Sequence, residues 1–268
     1  MSNEIFLPES LSKVDSEMDL EKLSHFYEKN STVIGKVIRI DFENQLFIVD
    51  LGGKIAAKMP FNESTIYPIY DSNDRYSLNI INLFEKTIQA KIKIFEKDNI
   101  ILSRKDNMLE ALETLKTETD SIFAIILGFS KLSAFLDVGA GIIGRSCSRN
   151  FSNTVFNDIR DIGLKEGELI SVKIMNFVEE SNNFELSRVD TLPSCEEFLN
   201  QGDIVTCTVF TPIGDNVGYY VLIDSIFCGI VDSPDVELNY GDIIKAFVKN
   251  VTPKGPKLNF MQFKNEKI

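Results

Sequence analysis

Three stretches of the chain repeat one pattern: a strand-length apolar run, a short polar turn, a second run ending near Gly or Asp, a third run, a variable connection and a closing pair of runs. Internal repetition at such a spacing marks a chain built from copies of one small structural unit. In the first copy, Thr32 to Ile40 alternates with the period of two expected of a half-buried strand. The turn Asp41 to Asn44 leads into Leu46 to Leu51, and Gly52-Gly53 permits a tight hairpin to a third run, Lys54 to Met59. Thr87 to Phe95, a Glu96-Lys97-Asp98 turn and Asn99 to Ser103 close the copy.

The second copy runs through Ser121 to Gly128, Leu132 to Val138, the Gly139-Ala140-Gly141 hairpin and Ile142 to Gly144, then closes with Leu169 to Phe177 and Asn183 to Ser187. The third comprises Asp203 to Thr211, Val217 to Ile223, Ile226 to Val231, Asp242 to Val251 and Lys257 to Met261. Five short strands with a long connection after the third outline a five-stranded barrel. The expected fold class is therefore all-β, with three tandem barrels at residues 31–105, 119–192 and 200–263.

Two helical pieces interrupt the strands. A leader, residues 1–30, contains Leu20, Leu23, Phe26 and Tyr27 at helical spacing, with Ser16 or Asp15 before them as the helix start. A linker helix over 106–118, capped by Asp106, places Met108, Leu109, Leu112 and Leu115 on one face and Glu110, Glu113 and Lys116 on the other. Phe61 to Phe84, with Tyr67, Tyr70 and Tyr76, follows neither period.

Charge sets the main tension. With 28 Lys and Arg against 40 Asp and Glu, the net charge is −12, whereas proteins that neutralise phosphates usually present basic surface. Cys147, Cys195, Cys207 and Cys228 lack C-x-x-C spacing, and with His25 as the sole histidine no zinc set can be assembled, so the cysteines read as buried, reduced thiols. The start Met-Ser-Asn-Glu has no basic n-region, and apolar runs such as Ile122 to Leu127 fall far short of the ~18–20 residues of a membrane span. A cytoplasmic protein without membrane contact or cofactor is expected. His25 has no Ser, Cys or carboxylate partner at a telling spacing, and Gly139-Ala140-Gly141 lacks the helix and Lys-Ser/Thr of a phosphate loop, so no enzyme is expected.

Ile48-Val49-Asp50-Leu51-Gly52-Gly53, Ala134-Phe135-Leu136-Asp137-Val138-Gly139 and Gly218-Tyr219-Tyr220-Val221 resemble the Gly-x-Phe-Val-Asp-Leu-Gly core of S1 domains. Leu102-Ser103-Arg104-Lys105 and Leu186-Ser187-Arg188 resemble the Leu-Ser-Arg-Lys that closes them. Over residues 32 to 262 the chain is thus similar to the ribosomal-protein-S1-like RNA-binding family, as in short S1-like proteins of Gram-positive anaerobes. The resemblance implies OB-type (S1-type) barrels that hold single-stranded RNA, in or near translation, with the ribosome or another protein as a further partner.

In that family, aromatic platforms stack bases at roughly 1–3 kcal/mol each while Arg or Lys holds phosphate. The resemblance places the second-strand aromatic position on Ile48, Phe135 and Tyr220, the one before it on Gln45, Leu132 and Val217, and the third-strand His position near Met59 and on Cys147 and Asp232. The last-strand basic position falls on Asn99, Asn183 and Lys257. The candidate RNA-binding residues are Phe135, Tyr220 and Lys257, with Lys131, Arg145 and Arg149 as a basic rim; a barrel Phe also serves as core, and each cation also serves as ordinary solvated charge. The C-terminal stretch, from Lys245 and Lys249 through Lys254 and Lys264 to Lys267, faces only Asp242 and Glu266 and is the most basic part of the chain. An alternative from another class is a protein-interaction scaffold that keeps the barrels without the RNA surface.

Overall fold

A computed structural model describes residues 6–96, 99–153, 158–213, 218–224, 226–232, 235–252 and 255–264. Of the residues named above, Lys97, Asp98, Val217, Lys254, Glu266 and Lys267 lie outside these. The first barrel comprises β1 (Val33–Asp41), β2 (Leu46–Gly52), β3 (Ile55–Pro60), β4 (Thr87–Glu96) and β5 (Asn99–Ser103), closed in the order β1-β2-β3-β5-β4. The second comprises β6 (Ser121–Phe129), β7 (Ser133–Asp137), β8 (Ile143–Cys147), β9 (Leu169–Val178) and β10 (Asn183–Ser187). The third comprises β11 (Ile204–Pro212), β12 (Gly218–Ile223), β13 (Phe227–Asp232), β14 (Ile243–Thr252) and β15 (Gly255–Phe263). The expected three tandem OB-type barrels, with leader and linker helices, are thus borne out.

Alternation drives each barrel. In β2, Phe47, Val49 and Leu51 are fully buried while Ile48 and Asp50 are half-buried, and each large side chain so buried stabilises the fold by about 1.5–3 kcal/mol. One strand must bend to close a small barrel, and a β-bulge supplies the bend. β1 pairs with β4 through Val33–Lys36 and with β2 through Lys36–Asp41, its register shifting between Val37 and Arg39. β11 does the same, shifting between Val209 and Thr211. Parallel pairs complete each circuit: Lys58 with Ile101, Phe184 with Gly144, and Ile230 with Lys257.

The chain forms two compact units. Met1–Leu127, Phe135–Arg145 and Leu169–Glu185 make the first; Gly128–Ala134, Ser146–Glu168 and Leu186–Ile268 make the second. The first contains the whole first barrel and α1 (Leu20–Glu28), whose Asp19 side chain accepts the Lys22 N–H at 2.8 Å. The cap is therefore Asp19 and not Ser16 or Asp15. Leu23 is fully buried, and exposed His25 lies in the last turn.

Phe61 to Phe84 folds over the first barrel as a 3-10 turn, a Tyr70–Tyr76 bridge and α2 (Leu78–Ile81). It is organised by rings rather than by a period: Phe61 lies 4.8 Å from Phe47, 5.3 Å from Tyr76 and 6.0 Å from Phe42, centroid to centroid. The linker helix, α3 (Arg104–Lys116), begins earlier than its apolar pattern indicated, because Ser103 Oγ accepts the Asp106 N–H at 2.9 Å. Its buried stripe runs through Arg104, Asn107, Met108, Ala111, Leu112 and Leu115, while Leu109 is exposed. A charged Arg104 at its start shifts the stripe from the apolar-only reading.

The second unit contains the third barrel, with Val221, Val231, Ile244, Val248 and Leu258 in its core. It also contains α4 (Ser148–Phe151) and α5 (Cys195–Phe198), the latter started by a Ser194/Glu197 capping box. None of the four cysteines is in a disulfide, and only Cys207 is buried; Cys147, Cys195 and Cys228 are partly exposed. No helix among the described residues is long and apolar enough to cross a membrane.

Candidate nucleic-acid interface

Strand register decides which side chains share the outside of a barrel, since residues paired across neighbouring strands point to the same face. In the third barrel Thr211 pairs with Tyr220, Tyr220 with Ile230, Ile230 with Lys257 and Lys257 with Asn250. These five residues form one row around the outer wall. Tyr220 is 37% exposed and Lys257 is exposed, while Tyr219 turns inward onto the core and its hydroxyl accepts the Leu238 N–H at 3.4 Å. An aromatic face and an ammonium one strand apart from it, separated by Ile230, can stack a base and meet a phosphate.

The matching row in the first barrel reads Arg39, Ile48, Lys58, Ile101 and Ile94. Two exposed cations flank an aliphatic wall here. This row also corrects the last-strand assignment: the counterpart of Lys257 is Ile101, not Asn99. In the middle barrel it is Glu185, the partner of Arg145, and not Asn183. The offset arises because the hairpin before the last strand ends at Asn99 in the first barrel and at Gly255 in the third.

Phe135 is 39% exposed on β7, and Arg145 is exposed on β8, both in the first unit. Arg145 is the register partner of Glu185 across β8 and β10, so an acidic residue neighbours it on that face. Lys131 and Arg149 are exposed in the second unit. Their backbones are neighbours, with Leu132 O accepting the Ser148 N–H at 2.9 Å. Lys131 helps hold the Asp158 carboxyl low, at about 2, behind the larger effect of hydrogen bonds from the Arg160 side chain and N–H. Lys249 pairs with Asp232 at 3.2 Å, so the third-strand His position of this barrel is a carboxylate engaged with a lysine. Met59, near the corresponding position of the first barrel, is fully buried.

Two groups escaped the sequence reading. On the first barrel a cavity of about 340 Å³ is lined by three amides, Asn44, Gln45 and Asn62, together with Pro60, Phe61, Ile69 and Tyr70. Tyr70 is 44% exposed and stacks on Tyr76 at 5.2 Å. On the third barrel a groove of about 450 Å³ is lined by Lys245, Gln262, Phe263 and Lys264, and Phe263 is 42% exposed. The lysines were visible as a basic stretch, but the ring beside them was not. Among the described residues no group of three or more His, Cys, Asp or Glu is placed to hold a metal.

No protein-family model matches the chain. The chain is 26% identical to the small ribosomal subunit protein bS1 of Staphylococcus saprophyticus, over 93% of its own length and 65% of the relative's. To bS1 of Staphylococcus haemolyticus it is 27% identical over 71% of its length and 48% of the relative's. It therefore spans about two thirds of one curated relative and about half of the other. Among solved structures, a multidomain protein with nucleic acid binding domains from Streptococcus pneumoniae aligns over 88% of this chain and 74% of its own, at 11% identity and a TM-score of 0.26. The sequence kinship is distant and lies with ribosomal protein bS1.

Proposed function

We propose that the chain is a non-catalytic protein that binds single-stranded RNA in or near translation through the outer walls of its barrels. The observation that carries this reading is the Thr211–Tyr220–Ile230–Lys257–Asn250 row, in which an exposed aromatic and an exposed cation share one face. Phe135 and Arg145 in the first unit, and Lys131 and Arg149 in the second, are further candidate contacts, each within its own unit. The distant similarity to bS1 supports the same reading. Arg39 and Lys58 give the first barrel a phosphate-holding wall of its own.

A second reading, a protein-interaction scaffold, is favoured by the cations that already face carboxylates: Lys249 on Asp232, Lys93 on Glu63 and Arg160 on Asp158. A salt titration with a short single-stranded RNA separates the two. Phosphate contacts give a log–log slope of about −0.7 per contact for single strands. The double variant Phe135→Ala with Tyr220→Ala should weaken binding by about thirtyfold or more while the barrels stay folded, given roughly 1–3 kcal/mol for each of two stacked bases. Absence of binding at low salt refutes the RNA reading and leaves the scaffold.

A further inference from the structure

Residues 6–18 form no strand of any barrel, yet they lie across two of them within the first unit. Beneath them are the glycine hairpins of the repeated motif. A Cβ on Gly53 would stand 1.7 Å from Met18 O, one on Gly52 1.9 Å from Asp15 O, and one on Gly139 2.5 Å from Phe6 O. The bare backbones are seats for a second chain segment as well as turns. The equivalent stretch of the third barrel, Ile223-Asp224-Ser225-Ile226, has no glycine.

The segment is held by polar contacts that converge on Glu9. Its carboxylate accepts from Arg104 Nε at 2.7 Å and Nη2 at 2.8 Å, and from the Gln89 N–H at 3.0 Å. Its own N–H donates to Asp137 Oδ2 at 2.9 Å, while the Gly139 N–H occupies Asp137 Oδ1 at 2.9 Å. Leu7 O accepts from the Ala140 N–H at 3.0 Å and from Gln89 Nε2 at 3.1 Å. Arg104 also donates to Ser64 O at 2.9 Å. First barrel, linker helix and the β7–β8 hairpin thus meet on one short peptide.

Apolar burial does little of the holding. Leu7 and Leu11 are 47% and 42% exposed, and the core cluster of the first barrel takes nothing from the segment except Met18. The barrels close on their own strands. A buried bidentate Arg–carboxylate pair is strong and specific in geometry, and its loss strands a buried charge.

We propose that residues 6–18 are a releasable clasp, a peptide ligand carried in cis that locks the β7–β8 hairpin to the first barrel and linker helix, and that opens without unfolding either barrel.

The test inserts a protease recognition sequence between Ser16 and Glu17, both exposed, in the full-length protein, and cuts after folding. The nicked protein should exchange its leader for a labelled synthetic peptide of residues 1–16 while the amides of β2 and β9 keep their protection from hydrogen exchange. A peptide carrying Glu9→Ala should bind at least about tenfold more weakly, since hydrogen bonds to charged groups are lost. In the uncut chain, Glu9→Ala should speed exchange at the Gln89 and Ala140 amides by about tenfold or more, again without change in β2 and β9. The clasp is overturned if the nicked fragment never exchanges, if its release or the Glu9→Ala substitution unfolds the barrels, or if the altered peptide binds equally well.

Discussion

Raising the pH from 5 to 8 should destabilise the first unit, because Asp137 is a buried acid whose carboxyl is pushed up from 3.8 to about 7. Burial is the main cause and the nearby Glu9 carboxylate the second; the N–H groups of Gly139 and Glu9 and the Arg104 guanidinium oppose them. Buried Tyr67, whose hydroxyl is itself raised to about 12, is the remaining titratable neighbour, and it accepts the Ile143 N–H at 2.8 Å. The folded form binds the proton more tightly than the unfolded chain, so the stabilisation is fully present below pH 3.8 and is lost as the pH rises through about 7. At ~1.4 kcal/mol per tenfold change in proton affinity the whole effect is on the order of 4 kcal/mol, of which about 2–3 kcal/mol falls between pH 5 and 8.

Thermal unfolding followed by circular dichroism should register this as a fall of about 5–10 °C in the midpoint of the first unit. Carboxyls held low by partners, such as Asp41 and Glu63, titrate below the window and act in the opposite sense. Asp137→Asn should flatten the slope. A midpoint that is constant or rises from pH 5 to 8, or an equal slope in Asp137→Asn, would show that the carboxyl is ionised throughout and the reasoning wrong.

Lys257→Ala should reduce the magnitude of the salt slope for RNA by about 0.7 and weaken binding alike for different sequences, read by fluorescence anisotropy; an unchanged slope removes Lys257 from the phosphate contacts. Ser103→Ala should cost about 1 kcal/mol or more in urea unfolding, since Ser103 is fully buried and caps α3 at the Asp106 N–H. Cys207, buried and with its thiol pushed up to about 12, should resist iodoacetamide at pH 8 until the third barrel unfolds, whereas partly exposed Cys228 reacts in the native state. Mass spectrometry of the alkylated peptides distinguishes the two.

The three barrels were legible in the sequence because each strand carries its own period of two, as in Phe47, Val49 and Leu51, and because Gly52-Gly53 and Gly139-Ala140-Gly141 mark hairpins by local backbone requirements alone. That Tyr219 and Tyr220 face opposite ways was legible for the same reason, while the choice of Tyr220 as the outward one came from the family resemblance. Which residues stand beside it was not. That Lys257, rather than a residue two places away, shares the row with Tyr220 depends on register between strands that are distant in sequence, and the same register puts Ile101 and Glu185 where Asn99 and Asn183 were expected.

Phe61 to Phe84 stayed opaque because its order comes from ring packing around Phe61, which leaves no periodic trace. The leader was opaque for a related reason: Glu9 reads as one more acidic surface residue in a chain of net charge −12, and it becomes a buried ligand only where Arg104, Gln89 and Asp137 converge. Local periodicity and turn chemistry thus determined the strands, hairpins and helices. Long-range register and the burial of charge, which exist only after the strands have closed, decided which side chains meet and what the glycines are also for.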